Sequence, residues 1–278
     1  MTFLPAHDRY GADPGPNTVF LLHGILGNRG NWRSFARRLS AQLPGWCVVT
    51  LDHRHHGDSR GAPPPDTVNA CADDVAALAQ HLGVRPRVTV GHSFGGKVVL
   101  AHADRHRDGL EQVWVLDAPP GTGNRGGDDH EVVKVLAALR SVPLPLARRE
   151  QIVTELGARG LSRPLAVWMT TNLAPVDGGY GFRFDLDGAE RLITDYFGFD
   201  AWPILARPRT SPDIVCVRAE RSDRWDDATL ARFADLPDTV PTRLCLLQDA
   251  GHWLHADNPD GLLRLFADRW TPDAPRDT

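Results

Sequence analysis

The sequence predicts an α/β fold in which helices cover both faces of a doubly wound, mostly parallel sheet. Short apolar runs recur along the chain and are rich in Val, Leu and Ile on both faces. Stretches with a helical pattern separate these runs. Strands that are apolar on both sides are typical of parallel sheets covered by helices, and strand–helix alternation implies right-handed crossovers. Ligands of such sheets bind beyond the carboxyl ends of the strands.

The apolar runs define the predicted strands, and the stretches between them define the predicted helices. The strands are TVFLLHG (18–24), CVVTLD (47–52), RVTVGHS (87–93), VWVLDA (113–118), DIVCVRAE (213–220) and TRLCLLQDA (242–250). The helices are 32–43, 67–82, 96–106, 227–236 and 259–268. The last helix has a clear start, because Asn258 can cap it and Pro259 suits the first helical position.

The alternation breaks in one long stretch. Between residues 121 and 210 the segments HEVVKVLAALRSV, LARREQIVTELGARG and LSRPLAVWMTTNL read as helices, and an aromatic, Gly-rich passage follows. We therefore predict a core of residues 1–120 and 210–278, and a helical lid of residues 121–209 inserted between two strands. A chain of 278 residues is normal for one α/β domain with an insertion.

Composition narrows the class of partner. The formal net charge is −4 with both signs spread along the chain and no basic stripe, so nucleic acid is not an expected partner. The apolar run from Val19 to Leu22 is far too short to span a membrane, and the N-terminus does not read as a signal peptide. Four cysteines without a CxxC pair indicate free thiols and a cytoplasmic location. We expect a small-molecule substrate and leave the oligomeric state open.

The segment from Gly91 to Gly95, GHSFG, fits the pattern G-x-S-x-G. It follows a predicted strand and opens a predicted helix, which is the context that a nucleophilic serine on a sharp turn requires. Such a turn is strained, and side chains two residues to either side would collide, which explains both glycines. The turn presents Ser93 Oγ above the sheet edge, where backbone N–H groups and the helix dipole point. We predict Ser93 as the nucleophile.

A serine hydroxyl needs a neighbouring base, and the base needs an orienting acid. In strand–turn nucleophile proteins the chain order is Ser, acid, His. His252 directly follows the last predicted strand and a glycine, which favours it over its rival His255. The ordinary pKa of histidine, about 6.5, suits proton transfer at neutral pH.

Two carboxylates are candidates for the acid. Asp117 ends the strand VWVLD, one strand after the serine, and Asp223 follows the strand DIVCVRAE. Both sites lie at the carboxyl ends of strands, so both can reach the imidazole. Either aspartate can also be a turn or cap residue, and the residues alone leave the choice open.

The candidate oxyanion donors and substrate-binding residues lie near the same edge of the predicted sheet as Ser93. The strand TVFLL runs into HGILG (23–27), whose backbone N–H at Ile25 would face the serine. The N–H of Phe94, directly after the nucleophile, supplies a second donor. Trp253 lies beside the base, Trp168 lies in the lid, and His92 precedes the serine; we predict these three as substrate-binding residues.

The motifs LLHGILG, LDHRHHGDS, VGHSFGGK and AGHWLHADNP stand in the order and at the spacing of the α/β-hydrolase superfamily. More narrowly, the chain resembles the small carboxylesterases of the abhydrolase-domain-11 and bacterial YbfF-like group. Lys97 after the serine motif, the phrase WMTTNL followed by FRFDL, and Gly251-His252-Trp253 followed by HAD carry this resemblance. It covers nearly the whole chain and implies an α/β-hydrolase fold with a lid.

The resemblance also bears on the acid. In that group the acid ends the strand after the nucleophile helix, which implies Asp117, and a serine after the next strand assists the histidine, which implies Ser222. Two features depart from the group. Asp223 resembles the acid position of many other hydrolases, and the loop GTGNRGGDDHE (121–131) is unexpected. Asp117 is therefore the favoured acid and Asp223 the alternative.

Metal, phosphate and halide chemistry are not expected. His53, His55 and His56 match a strand-end turn of these hydrolases, and no acidic or cysteine ligand spacing accompanies them. A Walker loop needs Ser or Thr after Lys97, and a haloalkane dehalogenase needs Asp at the position of Ser93. We expect no metal and no organic cofactor.

The predicted reaction is hydrolysis of a carboxylic ester of a small or medium acyl group through an acyl-enzyme. The same triad serves thioesterases, C–C hydrolases, lyases and acyltransferases, and the fold does not separate them. A binding protein that keeps a slow triad as a ligand sensor is a further alternative.

Overall fold

The computed structural model describes residues 3–123, 131–208 and 212–270. The strands of these residues are β1 His7–Gly11, β2 Thr18–Leu22, β3 Cys47–Leu51, β4 Val88–His92, β5 Gln112–Leu116, β6 Leu173–Val176, β7 Gly179–Phe182, β8 Asp213–Ala219 and β9 Thr242–Leu247. Within these ranges seven strands form one sheet in the order β1-β3-β2-β4-β5-β8-β9. All neighbours are parallel except β1, which is antiparallel to β3.

Helices fill the connections. They are α1 Arg33–Gln42, α2 Val68–His81, α3 Phe94–Arg105, α4 Glu131–Arg140, α5 Gln151–Ala158, α6 Arg163–Met169, α7 Leu186–Gly198, α8 Trp202–Leu205, α9 Asp227–Ala234, α10 Leu254–Asp257 and α11 Pro259–Trp270. Short 3₁₀ turns cover Arg29–Trp32 and Thr170–Asn172. Each predicted strand and each predicted helix of the core is present, with ends that differ by a few residues.

The sheet is covered on both faces, as predicted. Every residue of β2 is buried. Phe20 joins an apolar cluster with residues of α2 and α3, whereas Val19 and Leu21 join a second cluster with residues of α1 and α11. Successive side chains of a strand point to opposite faces, so a strand between two helical layers must be apolar throughout.

Sequence analysis missed β1. Its sequence, HDRYG, is polar, and its side chains are half-buried or exposed. The reason is that β1 is an edge strand, with a neighbouring strand on one side only. Edge strands need little apolar surface, so they carry a weak signal in the sequence.

The segment between β5 and β8 contains helices α4 to α8 and most of a third apolar cluster, which Leu26 of the turn after β2 also joins. It also contains the hairpin of β6 and β7, which a purely helical prediction did not include. The missed signal is Asp177-Gly178, a pair that favours tight hairpins because its glycine accepts a positive φ, here +79°. Most of the unusual loop 121–131, residues 124–130, lies outside the described residues.

The structure adds two observations on the wider surface and core. In the ranges that it describes, no helix is both long enough and apolar enough to cross a membrane. Cys47, Cys71 and Cys216 are buried and Cys245 is half-buried, and all four thiols are free.

Candidate active site

Ser93 makes the turn between β4 and α3. Its backbone has φ +52° and ψ −116°, a strained conformation for a residue with a side chain. A Cβ at Gly91 would overlap the backbone carbonyl of Gly95, and a Cβ at Gly95 would lie 2.8 Å from the carbonyl oxygen of His23. The crowding that the sequence predicts at both glycines is therefore present, and it leaves Ser93 at the N-terminus of α3.

His252 lies in the loop between β9 and α10 and is hydrogen-bonded to Asp117. The distance from His252 Nδ1 to Asp117 Oδ2 is 2.7 Å, and the side chain of Asp117 is fully buried behind the end of β5. A carboxylate only accepts, so Nδ1 carries the proton and Nε2 is left to accept one. Asp223, the alternative acid, is exposed at the wall of the same cavity.

The carboxylate of Asp117 accepts hydrogen bonds from four groups among the described residues. Besides His252, Ser222 Oγ donates to Oδ2 at 2.7 Å, while Trp225 Nε1 at 2.8 Å and the Ala219 N–H at 3.2 Å donate to Oδ1. Burial by itself raises the pKa of a carboxyl group, but the hydrogen bonds from His252, Ser222 and Trp225, together with the charge of His252, outweigh it and lower the pKa of Asp117. The carboxylate is thus held ionised beside the imidazole.

Ser222 stands where the resemblance implies, but it contacts the acid. Its hydroxyl donates to Asp117 Oδ2, which is the oxygen that also accepts from His252. Any assistance to the histidine therefore passes through the carboxylate.

The imidazole of His252 is kept neutral. Burial lowers its pKa below the ordinary value, and the nearby positive charge of Arg224 lowers it further, while Asp117 acts in the opposite direction. A neutral imidazole with a free Nε2 is the form that accepts a proton.

His92 supports the loop that carries His252. Its Nε2 donates to the backbone carbonyl of His252 at 2.7 Å, and the two ring centroids are 4.7 Å apart. His92 is buried and lines the cavity, but this hydrogen bond occupies its ring N–H. The donor that a substrate contact would need is already in use.

The turn after β2 carries the backbone N–H of Ile25, one of the two predicted oxyanion donors. The Gly27 N–H donates to the Gly24 carbonyl at 3.1 Å, and the Leu26 N–H donates to His56 Nε2 at 3.0 Å. Among the residues that the structure describes, no acceptor partners the N–H of Ile25 or of Phe94. Ile25 lines the same cavity as Ser93, and Phe94 directly follows Ser93 in the chain.

The histidines of LDHRHHGDS lie beneath this turn. His53 and His23 hold each other, since the His53 N–H donates to His23 Nε2 at 3.1 Å and His53 Nε2 donates to the His23 carbonyl at 3.0 Å. His55 pairs with Asp66 at 2.5 Å instead. In the described part of the chain, no group of three or more His, Cys, Asp or Glu side chains is arranged to hold a metal ion. The rings of His53 and His56 therefore support the backbone of the turn, whereas His55 does not.

These buried rings predict a steep loss of stability in acid. Burial lowers the pKa of His23 to about 4 and that of His56 to about 3. The other histidines whose pKa burial lowers are His53, His92, His102, His252 and His255. Below about pH 6.5 the unfolded chain binds protons that the folded chain does not, so the free energy of unfolding falls as the pH falls.

Each such histidine contributes a slope of about 1.4 kcal/mol per pH unit in that window. Urea unfolding measured between about pH 7 and about pH 5 should show uptake of several protons on unfolding. The variant His56→Gln is the control, because it removes one titrating ring. Its free energy of unfolding should fall less steeply with decreasing pH, by about 1.4 kcal/mol per pH unit. A free energy of unfolding that stays constant over this range would contradict the assignment.

Ser93 and His252 open on one cavity of about 770 Å³. Its volume lies in the range of sites that enclose small molecules. The apolar part of its wall from the segment between β5 and β8 includes Val132, Val135, Leu165, Trp168, Ile193 and Phe197. Trp168 and Trp253 both line the cavity and lie against each other, with ring centroids 6.0 Å apart.

Lys97 joins the nucleophile helix to the segment above it. The side chain is buried, and Nζ donates to the carbonyls of Gly121 at 2.7 Å, Phe199 at 2.8 Å and Tyr196 at 2.9 Å. Burial lowers its pKa to about 8. Sequence analysis noted Lys97 for its place after the serine motif but could not name these partners.

Sequence analysis missed Trp225 altogether. Its indole contacts an aspartate that is 108 residues away in the chain, and no motif marks it. The one available signal is its place three residues after Ser222, in the loop that follows β8.

Strand order, the strained serine after β4 and the loops at the carboxyl ends of the strands together define an α/β-fold hydrolase. The model of the family described as "alpha/beta hydrolase fold" matches residues 17–144. The esterase from a marine microorganism has the same fold, with a TM-score of 0.79 at 23% identity over 96% of this chain and 99% of its own.

The chain belongs to the α/β-hydrolase family, in the group of the abhydrolase-domain-11 and YbfF-like proteins. It is 30% identical to the mouse sn-1-specific diacylglycerol lipase ABHD11, over 89% of this chain and 78% of the relative. It is 26% identical to the Escherichia coli esterase YbfF, over 89% of this chain and 91% of the relative. The predicted fold, family and class of enzyme are thereby confirmed.

Proposed function

We propose that this protein is a serine hydrolase that cleaves a carboxylic ester of a small or medium acyl group. Ser93 is the nucleophile, His252 the base and Asp117 the acid. The observation that carries the proposal is the 2.7 Å hydrogen bond between His252 Nδ1 and the buried Asp117, on the cavity that Ser93 also lines.

The geometry supports a two-step acyl transfer to water. His252 Nε2 takes the proton of Ser93 Oγ while Oγ attacks the ester carbonyl carbon. The backbone N–H groups of Ile25 and Phe94 stabilise the oxyanion, each by about 3 kcal/mol in the transition state. His252 then protonates the leaving alcohol, and a water molecule repeats the sequence on the acyl-enzyme.

The acyl group occupies the apolar part of the cavity. Residues 121–209 act as a lid over the carboxyl ends of the strands, with Trp168 and Trp253 against the acyl chain. An ester is favoured over a thioester or a C–C bond because the relatives are named as a lipase and an esterase. The glycerol ester in the name of the mouse relative makes acylglycerols natural substrates to test.

Labelling and turnover test the proposal together. The folded enzyme should react with a fluorophosphonate, and peptide mass spectrometry should place the label on Ser93. It should hydrolyse p-nitrophenyl butyrate and a monoacylglycerol faster than the matched butyryl thioester. Urea-unfolded enzyme is the control, since an unactivated serine does not react. Absence of labelling would overturn the activated serine, and preferential cleavage of the thioester would overturn the ester assignment.

A further inference from the structure

Asp117 accepts a hydrogen bond from the side chain of Trp225, a residue that does not line the cavity. Trp225 Nε1 donates to Asp117 Oδ1 at 2.8 Å, and the side chains of both residues are buried. The other donor to Oδ1 among the described residues is the Ala219 N–H, at a longer 3.2 Å. Oδ2, in contrast, accepts from both His252 and Ser222.

We propose that Trp225 is a positioning residue for catalysis: its indole N–H fixes the plane of the Asp117 carboxylate so that Oδ2 faces His252. This inference rests on the proposed function, in which Asp117 is the acid. Without the indole, Oδ1 keeps only the long backbone hydrogen bond and competes with Oδ2 for the hydroxyl of Ser222. The carboxylate then rotates away from the imidazole.

The indole is itself held in place by aromatic packing. The ring centroid of Trp225 lies 5.7 Å from that of Phe233 in α9, and Phe233 lies 4.8 Å from Trp202 in α8. All three side chains are buried. This aromatic row of Trp225, Phe233 and Trp202 connects Asp117 to α8, the last helix before β8. The packing holds the indole of Trp225 in one orientation.

The test compares Trp225→Phe with Trp202→Phe. Trp225→Phe keeps an aromatic ring against Phe233 but loses the N–H, and Trp202→Phe removes an indole from the same row without touching Asp117. We expect kcat to fall about 10- to 100-fold in Trp225→Phe with KM nearly unchanged, which is the usual effect of one hydrogen bond to a charged group. Trp202→Phe should keep the kcat of the wild type.

A pH profile separates positioning from packing. When the carboxylate rotates away, His252 loses the hydrogen bond and the negative charge that raise its pKa, so the acid limb of kcat/KM should move to lower pH. The charged and titratable groups around His252 are the same in every variant: Asp117, His92, His255, Arg224 and Glu131. Trp202→Phe keeps both Trp225 and Asp117 and should leave the acid limb in place.

The inference is overturned if Trp225→Phe has the kcat and acid limb of the wild type, or if Trp202→Phe reproduces its effects. Should Trp225→Phe fold poorly, the ¹⁵N-labelled indole groups of the intact enzyme provide a second measurement. The Trp225 Nε1–H resonance should move upfield in Asp117→Asn, and a resonance that does not respond also overturns the inference. If Asp117→Asn is itself fully active, the proposed acid fails instead, so the two failures are distinguishable.

Discussion

Replacing Ser93 by alanine is expected to lower kcat for ester hydrolysis by roughly 10⁵- to 10⁶-fold, as loss of a triad nucleophile does. The change removes only the hydroxyl that forms the acyl-enzyme. Alanine has the same Cβ, so the strained turn at residue 93 and the crowding between Gly91 and Gly95 are unaffected. The free N–H groups of Ile25 and Phe94 remain, and they account for the residual rate.

The measurement is turnover of p-nitrophenyl butyrate under single-turnover conditions, with binding of an ester analogue measured in parallel. Ser93→Ala should bind the analogue as the wild type does. Ser222→Ala is the matched control, because it removes a hydroxyl that contacts Asp117 rather than one that faces the cavity as nucleophile. Its effect should be far smaller. Activity of Ser93→Ala within tenfold of the wild type would remove Ser93 from the reaction.

The variant Asp117→Asn is expected to lower kcat by about 10⁴-fold. If the amide of the Asp117→Asn variant turns its NH₂ group towards His252, two hydrogen-bond donors, this NH₂ group and the Nδ1–H, face each other. The imidazole then adopts the other tautomer, and Nε2 carries a proton when it should accept one. The buried charge that stabilises the imidazolium is lost as well. The folded state should persist, because Asn has the shape of Asp.

Asp223→Asn is the matched control for this prediction. Asp223 is exposed, lies in the same cavity wall and has the same side chain, but the histidine hydrogen bond goes to Asp117. We expect kcat of Asp223→Asn within a few-fold of the wild type, the usual size for an exposed substitution. A large loss in Asp223→Asn with an active Asp117→Asn would reverse the assignment of the acid.

The acid illustrates how far sequence reasoning reaches. Both Asp117 and Asp223 follow strands, so chain order and strand ends place both near the base. What separates them is which carboxylate is buried against His252 and supplied with donors. That depends on how the end of β5 and the loop after β8 pack against each other, which periodicity and spacing do not contain.

His92 and Trp225 show the same limit of sequence reasoning. His92 is predicted in a role that its hydrogen bond does not fit, and Trp225 is not predicted at all. The position of His92 beside the serine suggests a substrate contact, but its ring N–H is used by the carbonyl of His252. Trp225 has no motif, yet its N–H reaches the acid. In both cases the partner comes from a distant part of the chain, and only the packed structure brings the two together.

The sequence by itself determined the features that local physics governs. Apolar runs on both faces require strands covered by helices, and the glycines around Ser93 are what a strained turn needs to avoid overlap. The tertiary structure alone decided the partners of buried polar groups: Asp117 for His252, three carbonyls for Lys97 and the indole of Trp225 for the acid. The physical reason is that a buried donor or acceptor must be satisfied by whatever group the packing places beside it, and packing is a property of the whole chain.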